Sequence, residues 1–479
     1  MSKTTSVAMT GETHRALCDL LVRADGQEDL CLATYRRSTG RSRVTALLRA
    51  PIPPEEGERV VHGNVTVHAE YILRAAALAQ EQGCGLVMLH SHPAGRNWQP
   101  MSGPDHDAEQ AYAHLVRELT GLPLVGMTLA AGDRSWSARH WDTGIGRTIA
   151  TTECANVRVV DDQLWVTWND SAVPRPRPNA RQVRTLSAWG EAAQWDLARR
   201  SVLVVGVGSV GLDVAVRLMA SGLRRLTVMD FDEVEARNLD RLIGATHEDA
   251  ALRRPKIDVA RREALRNATA DDPEVRRVDW SICEEEGLLE ALDHDLIFCC
   301  VDRPWPRAVL NSVAYTDLIP VIDGGIAIDT RRDGTMRNAT WRSHILRPGR
   351  PCMVCSRQLD MGDVALDVEG LLDDPEYIAP ADATHRHRGG HNVALLSVGV
   401  SATLLAQYVS FSVAPGGLGD PGPLRYHLNT HEMEHVEAVT SEHCVTEAGE
   451  AVGDERLPLT GRHDAAERAR HKREAGGRD

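Results

Sequence analysis

Along residues 1–145 the apolar positions follow two periods in turn. DLCLATYRR (29–37) and RVTALLRAPI (43–52) read as strands, and HAEYILRAAALAQEQG (68–83) repeats its apolar residues at helical spacing and stops at Gly83. CGLVMLHSH (84–92) is an apolar strand that runs into a loop. DHDAEQAYAHLVRELTG (105–121) predicts a second helix and PLVGMTLAAG (123–132) a further strand. This is the pattern of a compact α/β unit.

The pattern lapses in SAVPRPRPNA (171–180), where Pro, Arg and small polar residues predict a linker. After it, RRSVLVVGVGSVGLDVAVRLMASG (199–222) reads as strand, glycine turn and helix. RLTVMDFD (225–232), HDLIFCCVD (294–302) and IPVIDGGIA (319–327) are later strands. Strands separated by helices predict right-handed crossovers and a mostly parallel, doubly wound sheet. From Gly461 the chain is highly charged with no apolar stripe, which predicts a frayed or disordered tail. The expected organisation is an α/β domain over 1–170, a linker over 171–180, a Rossmann-like domain over 181–460 and a tail over 461–479.

The 479 residues are 42% hydrophobic, enough for well-filled cores. A formal charge of −14 argues against general nucleic-acid binding and leaves room for a local basic pocket. The first twenty residues contain no signal-peptide core, and no stretch reads as a membrane helix. Ten scattered cysteines read as reduced thiols or metal ligands. The expectation is a cytoplasmic chain with neither nucleic acid nor membrane as partner.

Two constellations carry chemistry. The first is His90-Ser91-His92-Pro93 at a strand end, followed by Ser102-Gly103-Pro104-Asp105 at the start of a helix. Two histidines at i and i+2 point the same way, and a nearby carboxylate completes three ligands for zinc with a fourth position free for water. This resembles the JAMM (MPN+) metalloprotease signature, with a longer connecting loop. The resemblance implies that His90, His92 and Asp105 bind zinc and that Ser102 helps hold the oxyanion. Glu28 matches the family's distal general base, which moves a proton from the attacking water to the leaving amine. The adjacent Asp29 is the alternative carboxylate.

The second is Gly206-Val207-Gly208-Ser209-Val210-Gly211 between a strand and a helix, a turn that suits phosphate. Asp230 ends the next strand, placed for a ribose hydroxyl. A dehydrogenase reading survives to this point. Then follow Asn238, Arg241, Lys256 and Asp302, with Arg307 and Asn311 beyond: cations for a triphosphate and a carboxylate for magnesium. Residues 181–445 thus resemble the ThiF/MoeB/ubiquitin-activating superfamily.

That resemblance implies ATP and magnesium as cofactors, ribose on Asp230, phosphates on Asn238, Arg241 and Lys256, and magnesium on Asp302. It also implies an arginine finger at Arg184, six residues before Gly190, reaching across a homodimer. Relatives pair a CxxC with a second one around structural zinc. Here Cys352 and Cys355 find only His443-Cys444, so either Cys352, Cys355, Cys444 and His443 hold zinc or Cys352 or Cys355 is a thioester nucleophile. Cys299 and Cys300 read as core, and His385, His387 and His391 as solvated. Together the two resemblances imply processing and adenylation of a small ubiquitin-like or sulfur-carrier protein at its C-terminal tail. The alternatives are an adenylating enzyme for sulfur transfer or peptide modification, and a recruiting scaffold with one inactive module.

Overall fold

The computed structural model describes residues 3–62, 64–143, 149–177, 179–331, 333–373 and 393–476. It divides into two units. The first comprises Met1–Arg175 with Thr316–Leu318 and Glu450–Arg456, and the second Pro176–Tyr315, Ile319–Gly449 and Leu457–Asp479.

The first unit is built on a nine-stranded mixed sheet. Its order is Leu164–Trp168, Asn156–Val160, Thr4–Thr10, Arg43–Ile52, Leu30–Thr39, Gly85–His92, Leu124–Ala130, Ser135–Thr143 and Ile149–Glu153. Side chains alternate across the strands, so each face has its own core. Cys31, Ala33, Val87 and Leu89 pack with Leu17, Cys18 and Leu21 of the helix Gly11–Leu21. Leu30, Leu32, Leu86 and Met88 face the other way, onto the helices Ala69–Glu81 and Gly103–Thr120. By that alternation His90 and His92 share the face of the second helix pair, while Asp29 and Ser91 lie opposite.

The second unit carries an eight-stranded sheet. Glu274–Val278, Arg225–Met229, Ser201–Val205, Leu296–Cys299 and Val321–Thr330 are parallel neighbours, the Rossmann-like half. Met336–Leu346, Leu424–His427 and Glu432–His435 continue it antiparallel, so the sheet is less parallel than expected. The all-apolar run Val202–Val205 is explained by helices on both faces.

Two expectations need correction. Ala394–Val413 is a 20-residue uncharged helix, long and apolar enough to pass for a membrane span. Its inward face nevertheless carries Ser397, Ser401, Thr403 and Gln407, which bond to the rest of the unit through groups such as Ser209 and the Gly422 carbonyl. The charged tail is also ordered: Asp464–Gly476 is a helix. It lacks an apolar stripe because charged and aromatic contacts hold it instead. His463 lies edge-on to Phe231 and Trp305, Arg470 covers the Trp280 ring at 4.0 Å, and Arg473 bonds to the Phe231 carbonyl and to Asp279. His385, His387 and His391 lie outside the described residues.

Candidate functional site

In the first unit, sheet alternation and a helix start bring three side chains to one point. The strand Gly85–His92 ends with His90 buried and His92 half-buried, and the helix Gly103–Thr120 begins beside them. Ser102 caps that helix reciprocally with Asp105: the Asp105 N–H donates to Ser102 Oγ, and the Ser102 N–H to Asp105 Oδ2. The cap turns Asp105 toward the histidines. His90 Nε2 and His92 Nε2 are 3.3 Å apart and lie 3.5 and 3.6 Å from Asp105 Oδ2. A tetrahedral zinc with bonds near 2.0–2.1 Å has ligand atoms about 3.3–3.4 Å apart, so this trio fits one ion. Ser102 Oγ accepts from the Asp105 N–H, and the Ser102 hydroxyl also helps hold the Asp105 carboxylate.

Register separates Glu28 from Asp29. Leu30 pairs with His90 in the antiparallel ladder, which sets Glu28 opposite His92 and Asp29 opposite Ser91. Asp29 is therefore turned away. It is buried, receives the Arg59 guanidinium and lies 3.3 Å from Arg23, while its N–H donates to Ser91 Oγ. Glu28 faces the histidines, and its charge and that of Asp105 help hold the His92 pKa above the ordinary value, the Asp105 hydrogen bond acting most strongly.

Motif reading missed the groups around these three side chains. Gln99 Oε1 lies 3.5 Å from His92 Nδ1, leaving Nε2 to face Asp105. Thr128 Oγ1 lies 3.3 Å from His90 Nε2 and accepts from Arg139, which is paired in the core with Glu109. Glu109 lies one turn after Asp105 on the same helix, the one sequence signal that could have found it.

In the second unit the site forms where parallel strands end. Gly206 has φ +83°, and a Cβ there would press on the Cys300 carbonyl; one on Gly211 would overlap the Gly206 carbonyl. A Cβ on Gly208 would meet nothing, so that backbone is open to a ligand. Asp230 accepts from the N–H groups of Val207 and Asp232, tying the glycine turn to the next strand. Burial raises the Asp230 pKa to about 6 against the opposing pull of Lys256. Lys256 opens the helix Lys256–Arg266 and bonds Asp232 at 2.7 Å. Desolvation works against its charge, but Asp230, Asp232 and Asp302 outweigh it and its pKa rises. Asp302 stands exposed just past the strand Leu296–Cys299.

The remaining predicted residues are less convergent. Asn238 lines a cleft with Lys256, where Arg237 and Arg253 also appear although no motif singled them out. Arg241 does not line it; its guanidinium bonds the Arg237 carbonyl and Asp240. Arg184 is exposed on the helix Val183–Arg199, which is broken at Gly190, and does not line the cleft either.

Burial that favours the neutral acid gives Asp230 two opposite pH effects. The ligand-free fold is expected to gain stability as pH falls through about 6, whereas nucleotide binding, which needs an ionised acceptor, weakens over the same range. Affinity for adenosine, titrated against pH, is the measurement; Asp230→Asn is expected to remove the step.

Cys352, Cys355, Cys444 and Glu447 bring their ligand atoms within 4.8 Å of one another, with Cys352 Sγ 3.5 Å from Cys444 Sγ. Tetrahedral zinc–thiolate bonds of about 2.3 Å place sulfurs about 3.8 Å apart, so the thiols fit an ion. The fourth group is Glu447 and not His443. The helix Val445–Ala448, capped by Cys444, turns Glu447 inward, and its Oε1 also accepts from the Cys352 N–H. In the full chain, Cys444→Ser is expected to lose about one zinc by metal analysis while His443→Ala keeps it.

Residues 179–411 match the sequence model of the ThiF family. Over 167 residues the chain is 31% identical to the molybdopterin-synthase adenylyltransferase of Escherichia coli K12, spanning 34% of this chain and 61% of that protein. Over 139 residues it is 32% identical to the sulfur carrier protein adenylyltransferase of Thermus thermophilus, spanning 29% of this chain and 49% of that protein. The crystal structure of E. coli MccB with ATP superposes with a TM-score of 0.43 at 18% identity, covering 56% of this chain and 74% of that one. Residues 179–411 are thus a ThiF-family domain.

Proposed function

We propose that the second unit adenylates the C-terminal carboxylate of a small ubiquitin-like or sulfur-carrier protein, and that the first unit is a zinc-dependent JAMM-type isopeptidase acting on the same tail. The observation that carries the adenylation reading is the meeting of Asp230, Lys256 and Asp302 beside the Gly206–Gly211 turn. A dehydrogenase needs neither the lysine nor a second strand-end carboxylate, because backbone N–H groups bind its pyrophosphate.

In the proposed reaction the carboxylate oxygen attacks the α-phosphorus of ATP. The bond to the β-phosphate breaks, and pyrophosphate leaves with the charge that Lys256 stabilises. Asp230 holds the ribose, Asp302 binds magnesium, and Arg184 reaches the phosphates from the partner of a homodimer. Activating enzymes of this family use ATP and magnesium. The acyl adenylate then passes to a thiol or a sulfide, giving conjugation or a thiocarboxylate.

The peptidase reading is supported by the three-ligand spacing and by Glu28 on the same face. Zinc held by His90, His92 and Asp105 would supply a Lewis acid for water and for the amide carbonyl. Glu28 takes the proton from the attacking side and delivers it to the leaving amine, while Ser102 donates to the oxyanion. Cleavage releases a carboxylate, which is the group adenylation consumes. Ten free thiols fit a reducing compartment such as the cytoplasm.

Magnesium-dependent ATP–pyrophosphate exchange, measured with small carrier proteins encoded beside this chain, tests the proposal. Exchange stimulated by one of them supports it; NADH binding without ATP binding would overturn it.

A further inference from the structure

The C-terminal helix Asp464–Gly476 is absent from the motifs described so far, yet it lines a cleft with Asn238 and Lys256, two residues of the proposed adenylation site. His463, just before its first residue, and the face bearing Ala466, Arg470 and Arg473 anchor it. Ala466 is fully buried, His463 Nδ1 lies 2.8 Å from Ser281 Oγ, Arg470 pairs with Glu284, and Arg473 bonds to Asp279 and the Phe231 carbonyl. These partners follow the strands Arg225–Met229 and Glu274–Val278, at the carboxyl edge where such sheets bind ligands.

A neighbouring face of the same helix carries Arg468 and Lys472, one turn apart. Both line a cleft of about 240 Å³ together with Asn238, Arg253 and Lys256. Lys256 belongs to both places: it lines the cleft and feels Asp230 and Asp302. Charge in the cleft is unbalanced. Arg237, Arg253, Lys256, Arg468 and Lys472 face Asp232, Glu233 and Glu235. The three carboxylates are taken up by Lys256, Arg253 and Arg237. Lys472 comes only to 4.0 Å from Glu233, and among the described residues Arg468 makes no ion pair. Two cations surplus to their surroundings, on a helix docked through its other residues, call for an anionic ligand.

We propose that the C-terminal helix is a wall of the adenylation site, and that Arg468 and Lys472 bind the β- and γ-phosphates of ATP and the departing pyrophosphate. This rests on the reading of the second unit as an adenylating enzyme. The helix thereby supplies in cis two cations beyond those the family's motifs name.

The test uses the full chain and three probes: MgATP, magnesium pyrophosphate and AMP. In the Arg468→Ala/Lys472→Ala double variant, affinity for MgATP and pyrophosphate is expected to fall roughly 10- to 100-fold, because two charge-assisted contacts are lost. Affinity for AMP is expected to stay, because its one phosphate sits at the glycine turn. Arg468→Lys/Lys472→Arg is expected to keep most of the binding, and Arg473→Ala, which loosens the anchor, to reproduce the loss. If Lys256→Ala loses MgATP while the double variant binds as wild type does, the phosphate role is wrong and the adenylation reading stands. Tighter binding by the double variant would mean that the helix obstructs the site, which also overturns the proposal. A wild-type chain that binds no ATP would sink the underlying reading itself.

Discussion

Asp302→Ala is expected to bring magnesium-dependent ATP–pyrophosphate exchange down to background, a fall on the order of 10²–10³ or more, while the protein stays folded. Asp302 is exposed past the end of its strand, so its carboxylate adds little to the core. Its proposed task is to hold magnesium, and an alanine cannot replace that ligand. Lys256→Ala should reduce the same exchange by roughly 10²-fold if one charge-assisted phosphate contact is worth about 2–3 kcal/mol. Removing Lys256 also leaves Asp230, Asp232 and Asp302 without the cation that balances them, so magnesium dependence should shift as well. Arg184→Ala is expected to join this group although it does not line the cleft. Mixing Arg184→Ala with Asp302→Ala should then restore part of the exchange, because one site of a mixed dimer would hold both native residues. Wild-type exchange by Asp302→Ala would remove the magnesium role of Asp302 and leave the adenylation reading standing.

Glu28→Gln is expected to lower isopeptidase turnover by about 10²–10⁴ while zinc content is unchanged. The amide keeps the shape and hydrogen bonding of the side chain but cannot accept the proton that the proposed reaction moves. Metal analysis and turnover on the same preparation separate the roles, because His92→Ala should lose both. Asp29→Asn provides the contrast. That carboxylate meets Arg59 and Arg23 on the opposite side of the strand, so its loss should lower the melting temperature and leave the catalytic step intact. Turnover near wild type in Glu28→Gln, with zinc bound, would place the base elsewhere.

Much of both sites was legible along the chain because each motif is local. His90-Ser91-His92 lies on one strand, so the period of two alone sends both imidazoles to one face. Ser102 and Asp105 sit three apart, the spacing of a helix cap, and the cap aims the carboxylate. Gly206–Gly211 needs only a strand before it and a helix after it. Asp230 and Asp302 were findable because apolar runs end at them.

What the chain order could not reveal depends on residues distant in sequence. Glu28 and Asp29 are adjacent carboxylates with equal claims, and only the pairing of Leu30 with His90 decides which one faces the histidines. The fourth group beside Cys352, Cys355 and Cys444 is Glu447, because a cysteine-capped turn points it inward and leaves the nearer-looking His443 outside. The helix Ala394–Val413, which the sequence reading passed over, is long and apolar enough to cross a membrane, and its buried Ser, Thr and Gln find their partners only in the fold. Asp464–Gly476 reads as a solvated tail because its charges outnumber its apolar residues. Its order comes from Trp280, Glu284, Asp279 and the Phe231 carbonyl, supplied by loops almost two hundred residues away or more. Periodicity and motif spacing report on a residue's own element. Burial, register and ion pairing report on the neighbours that tertiary structure brings to it, and those neighbours decided which carboxylate faces the histidines, which fourth group joins the three thiols and which cations line the cleft.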